Sequence, residues 1–222
     1  EVHMNSPILQ LLVLAGIAVF LFIRLKNVLG TRDGFEKPPE DDPTTPTALR
    51  RDFEVIEGGP DRDITDHVPE DSPSATALAN MKRADSSFEV AEFLAGARGA
   101  YEMILMAFER GELADIQEFL SYEVYEAFET VVNARKEQGL TIEADFVGVR
   151  ETGLNEATFN TGTGLAEITV RMVCEMTNVV RDAEGTIVEG SETSSKQQKD
   201  IWTFGRVMGS DNPNWQLVAT GE

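Results

Sequence analysis

Few residues in this chain are equipped for chemistry on a substrate. Tyr101, Tyr122, Tyr125, Asp115 and Asp145 could exchange a proton if a carboxylate were desolvated and its pKa carried towards neutral. Tyr101 falls in an apolar helical stripe, however, and the others read as helix-surface or strand residues. Both histidines, His3 and His67, precede residue 75, and Cys174 is the single thiol. An internal disulfide and a Cys/His zinc site are therefore excluded. There is no Gly-rich phosphate loop behind a strand, no nucleophile elbow and no HExxH pair, and Gly162-Thr163-Gly164 reads as a turn. Glu40, Asp41 and Asp42 lack the oxygen spacing and turn glycine of a calcium loop and read as solvated chain. The expectation is a protein that is not an enzyme, with no catalytic residue, no metal and no cofactor.

The alternative chemistry is apolar binding. Period-two alternation puts Ile168, Val170, Met172 and Cys174 on one strand face, and Phe146, Trp202, Phe204 and Trp215 on neighbouring strands join them as candidate pocket lining. An ordinary filled core would look the same, because alternation does not fix whether Trp202 points inward. Gly96 and Gly99 each cost about 1 kcal/mol in a helix interior, which suggests close packing or an opening beside them.

The elements that must position these residues follow from periodicity. Residues 75–83 form a short leading helix, and Ser86-Ser87-Phe88-Glu89 reads as a capping box opening a long one. Val90, Leu94, Ala97, Tyr101, Ile104, Leu105 and Phe108 recur at helical spacing until Gly111 ends the helix. A short helix over 112–120 and another over 122–138, with Val124, Phe128, Val131 and Val132 inward, complete the helical half. From Leu140 the period becomes two, giving strands over 140–146, weakly over 156–160, and over 165–180, 197–207 and 215–220. Turns fall at 182–185 and 211–214. Helices followed by an antiparallel meander make an α+β domain.

Composition divides the rest of the 222 residues. After a tail over 1–6, the run from Pro7 to Ile23 carries one polar side chain, Gln10, and is just long enough to cross a hydrocarbon layer of about 30 Å. No small-x-small cleavage site follows it, so residues 7–26 are expected to be a retained transmembrane anchor. Arg24, Lys26, Arg32 and Lys37 lie after the span and no Lys or Arg lies before it, which orients the remainder towards the cytoplasm. The same four residues are candidates for lipid head-group contact. Residues 27–74 are expected to be a disordered acidic linker, since 38–74 hold seven of the nine prolines and eleven Asp or Glu. Within it, residues 49–56 form a small apolar island. A domain over 75–222 follows, with 12 basic and 25 acidic residues. With a whole-chain charge of -20, a nucleic-acid partner is excluded.

The helix from Phe93 to Phe108, the segment from Leu113 to Ser121, and the ending Asp200-Ile201-Trp202-Thr203-Phe204-Gly205-Arg206 with Asn212 to Leu217 resemble, in order and spacing, the mitochondrial inner-membrane translocase subunit 44 family and its bacterial relatives. The resemblance implies a cone like nuclear transport factor 2, a curved antiparallel sheet wrapped on helices around an apolar pocket. It also implies a membrane-associated adaptor. The mitochondrial form carries an Arg-rich presequence where this chain has an apolar run and an acidic linker, so the import-motor role does not transfer. A single-pass protein of a bacterial inner membrane is expected, its cytoplasmic domain binding a membrane complex, a chaperone or an anionic lipid. A lipid or small-ligand carrier, or a pocket isomerase or dehydratase of the same fold, is the alternative.

Overall fold

In the computed structural model the described residues are 60–221. The apolar run 7–23, the four basic residues behind it and the island 49–56 lie outside them. No helix among the described residues is long and apolar enough to cross a membrane.

Among the described residues, four helices and a 3-10 segment precede a four-stranded antiparallel sheet: α1 (Arg62–Thr65), α2 (Pro73–Ala84), α3 (Val90–Arg110), the 3-10 segment Leu113–Phe119, α4 (Tyr122–Glu137), β1 (Thr141–Phe159), β2 (Leu165–Arg181), β3 (Ile187–Val207) and β4 (Gln216–Gly221). The sheet order is β1-β2-β3-β4, an uninterrupted meander. The α+β expectation therefore holds.

The folded unit starts at Pro60. A linker drawn to residue 74 from composition runs too far, because Ile64 and Val68 are buried in the core while the acids around them serve as caps. Asp61 accepts from the Asp63 N–H at 3.0 Å to start α1. Ser72 accepts from Ala75 N–H at 3.1 Å to start α2, where Pro73 sits at the first turn.

The long helix α3 buries Val90, Phe93, Leu94, Ala97, Tyr101, Ile104 and Leu105, a stripe at three- and four-residue spacing. Its end is as the sequence indicates, with Gly111 left-handed at φ 73. Its beginning is not. No side chain of the expected capping box satisfies the first turn; Ser87 instead donates to Asp85 at 2.6 Å. The cap comes from α1, where the Asp63 carboxylate accepts from Val90 N–H at 2.7 Å and Ala91 N–H at 3.0 Å. Lys82 on α2 reaches both Asp61 and Asp63 at 2.8 Å, so three helices meet at one carboxylate. Burial works against ionisation of Asp63, but Lys82 and the two backbone donors hold its pKa below the ordinary value of 3.8.

The two strands expected over 140–146 and 156–160 are one strand, β1, with register shifts at Phe146/Gly148, Val149/Glu151 and Leu154/Glu156. Each shift inverts the facing of the residues beyond it, which erases the alternation that marks a strand in sequence. The helix expected over 112–120 is likewise a tighter 3-10 segment. Strand β2 is the centre of the core: Ala166, Ile168, Val170, Met172 and Cys174 are all fully buried beneath α3.

Candidate functional site

Cross-strand register places Ile168 opposite Phe204, Val170 opposite Trp202, Met172 opposite Asp200 and Cys174 opposite Gln198. The inner face of β3 therefore reads Gln198, Asp200, Trp202, Phe204. Trp202 does point inward and is 4% exposed. Tyr101 of α3 lies over this surface, its ring 4.7 Å from that of Trp202 in an edge arrangement and 6.3 Å from that of Phe146. Its hydroxyl donates to Asp200 Oδ2 at 2.5 Å and lies 3.1 Å from Cys174 Sγ, and Gln198 Nε2 donates to the same Asp200 oxygen at 3.0 Å.

This is a closed polar knot inside an apolar core. Burial first, and then the hydrogen bonds to Asp200 and Cys174, push the Tyr101 phenol far above its ordinary pKa; burial also raises the Cys174 thiol. Among the described residues every buried side-chain N or O has a partner. Of the eight candidates for pocket lining, Ile168, Val170, Met172, Cys174 and Trp202 are buried core residues, and Phe146 is half-buried with its ring against that of Tyr101. A period-two reading does not distinguish a filled sheet face from a hollow one, because volume, not facing, decides. Asp200 was missed as an interior residue although it lies two positions before Trp202 and shares its parity. The acid–base candidates do not converge: Asp115, Asp145 and Tyr122 are exposed, Tyr125 is half-buried on α4, and Tyr101 is sealed.

An open site lies beside the first turns of α3. A groove of about 340 Å³ runs between the first turns of that helix, the 3-10 segment and the turn before β4. Its floor is aromatic. The Phe93 ring centroid is 4.7 Å from that of Trp215, 6.1 Å from Phe204 and 6.4 Å from Phe88, and Phe88 and Trp215 are 5.9 Å apart. Phe204 and Trp215 are thus the two pocket candidates that do line an opening. Gly96, Ala97 and Ala100 form the helix wall. A Cβ placed on Gly96 would meet nothing within 4 Å, so this glycine borders open space, as its unfavourable position in a helix suggests.

The rim is polar and unevenly charged. Arg206 lines it, but its guanidinium is held by Asp85 at 3.1 Å and by the Asn212 carbonyl at 3.2 Å. Ser87 hydrogen bonds and the Arg206 charge together keep the Asp85 carboxyl below its ordinary pKa. Glu89 and Glu92 are exposed on the same rim with no ion-pair partner among the described residues. Gln216 Nε2 donates to the Glu118 carbonyl at 3.0 Å, and Ser121 N–H to the Leu217 carbonyl at 2.9 Å, fixing the end of the sheet to the 3-10 segment that closes the groove. Phe88 and Phe119 escape a strand-centred search for lining residues because they come from helical and loop segments, whereas Gly96 is marked in the sequence by its cost in a helix interior.

The Tim44-like domain family matches residues 74–222. The chain belongs to that family. The Tim44-like domain thus begins at α2 and includes the whole sheet and the groove. No curated protein matches the chain. Among solved structures, the intermembrane space region of the chloroplast protein ARC6 is similar at 11% identity and a TM-score of 0.40, over 58% of this chain and 94% of that one.

Proposed function

We propose that this protein is a membrane-tethered adaptor whose Tim44-like domain presents a binding surface to a protein partner. The anchor over 7–23 and the segment behind it confine the domain to the cytoplasmic face of a bacterial inner membrane, where Arg24, Lys26, Arg32 and Lys37 meet lipid head groups. The tethered domain rests on the cone-type scaffold that the family resemblance implies. Confinement raises its effective concentration for partners in the same membrane.

One observation carries the reading: the side chains that would form an acyl-chain or substrate cavity are buried in the core, while the first turns of α3 border an open groove with an aromatic floor and a charged rim. A groove of that kind suits a side chain or helix offered by another protein. The buried Tyr101–Asp200 pair has the residue types of a pocket isomerase, but its sealed position supports a structural role.

The test is purification of the full-length protein from its native membrane in mild detergent, with mass spectrometry of proteins and lipids. A stoichiometric protein complex that disappears when the anchor is deleted is expected. A monomer carrying one lipid species in stoichiometric amount overturns the adaptor in favour of a carrier.

A further inference from the structure

The groove also has a shape and a charge, and together they define a class of partner. This step rests on the adaptor reading above. The lining on α3 runs from its first turn to Ala100, about ten residues, or roughly 15 Å along the helix axis. That is two to three turns of a helix lying alongside. The wall facing it, Gly96, Ala97 and Ala100, has side chains no larger than a methyl group, so another backbone can approach closely. The floor offers anchors at i, i+3 or i+4, and i+7 the half-exposed Trp215 and the edges of Phe88, Phe93 and Phe204, whose rings are otherwise buried.

Charge selects further. Arg206 is engaged by Asp85, which leaves Glu89 and Glu92 as the uncompensated charges of the rim, in a domain that is itself strongly acidic. An acidic or neutral helix gains nothing there; a basic one does, and arrives faster. We infer that the groove between α3, the 3-10 segment and the turn before β4 receives an amphipathic helix of a partner protein, with large apolar anchors on one face and Lys or Arg flanking them.

The experiment uses the full chain in detergent and a fluorescently labelled synthetic peptide of about sixteen residues, Leu at helical a/d-type positions and Lys elsewhere, read by anisotropy. Two control peptides replace every Lys by Glu, or every Leu by Ser. The inference expects saturable binding of the Leu/Lys peptide alone, weakening as salt is raised. Gly96→Leu, which fills the opening without touching the core, weakens binding on the order of tenfold. Gly99→Leu is the matched control, since Gly99 also has nothing within 4 Å of an added Cβ but does not line the groove; it leaves affinity unchanged. Glu89→Lys with Glu92→Lys reverses the preference between the Lys and Glu peptides.

Equal binding of the Lys and Glu peptides, no binding of either, or indifference to Gly96→Leu overturns the inference. So does a lipid that co-purifies with the wild type and is lost in Gly96→Leu. If the native protein complex survives in Gly96→Leu while the peptide arm fails, the adaptor stands and only the groove's partner class falls; if no native complex exists at all, the adaptor reading falls by itself.

Discussion

The middle of α3 and its first turns use the same kinds of residue to opposite effect. Around Tyr101 the helix carries a large side chain, the sheet beneath offers Trp202, Met172 and Cys174, and the space is closed. Around Gly96 the helix wall is Gly96, Ala97 and Ala100 beside its own Phe93, the surface beneath offers Phe204 and Trp215, and the space stays open. Aromatic content is similar at both places. What separates a core from a binding surface here is the volume contributed by the helix, together with where the polar groups go: in the closed region they satisfy one another, and beside the groove Glu89 and Glu92 remain available.

Substitutions can break that contrast, beginning with the largest effect. Phe204 belongs to both regions, as a 2% exposed core residue whose ring also forms the groove floor. Phe204→Ala should cost about 3 to 5 kcal/mol in denaturant unfolding, because the cavity it leaves is walled by rigid sheet. A cost below about 1 kcal/mol would mean that the floor is not continuous with the core. Tyr101→Phe keeps the ring and removes only the hydroxyl donor to Asp200. It should destabilise by about 1 to 3 kcal/mol, since a buried carboxyl loses a partner. An unchanged midpoint would deny the knot its energetic role.

Asp63→Ala removes the cap of α3 at the groove end and one of the two carboxylates on Lys82. A loss of about 1 to 2 kcal/mol is expected. Because the folded protein holds this carboxyl below its ordinary 3.8, its contribution is full above that pH and disappears as pH falls through the lower folded value. Wild type and variant should therefore draw closer in stability as pH is lowered below 3.8, and a gap that does not narrow on acidification would refute the assignment. Gly96→Leu should do least to stability, leaving it unchanged or raising it by up to about 1 kcal/mol, because the new side chain enters empty space and a poor helix former is lost. If unfolding shows a clear loss instead, the groove is tighter than its walls indicate.

Local periodicity made α3, Gly111 and β2 legible before any coordinates, since burial on one stripe and a left-handed stop are properties of neighbouring residues. The remote features were not. Asp63 lies 27 positions before the first amide it caps, and nothing in the spacing of Ser86 to Glu89 reveals that this cap is supplied from elsewhere. Strand β1 hid behind its own register shifts. For the site, sequence indicated Phe204, Trp215 and an opening beside Gly96, but grouped them with β2 residues that α3 covers. Which aromatic residues border space depends on how the turn before β4 meets α3, a contact between segments over a hundred residues apart.

The far half of β3 has a consequence of another kind. Strand β4 pairs with β3 only over Ile201 to Gly205, so among the described residues β3 from Ile187 to Lys199 has no strand on its outer side. The register there jumps from Lys196 opposite Met176 to Ser191 opposite Asn178, throwing Glu192 to Ser195 out of line, and Gly190 at φ +84 lies so near the Asn178 carbonyl that an added Cβ would come within 1.9 Å. A border that is kinked, charged and pinned at a glycine is a poor template for a second strand. It discourages fibrillar self-assembly in crowded surroundings, so the colloidal behaviour of the domain depends on a stretch that contributes little to its core.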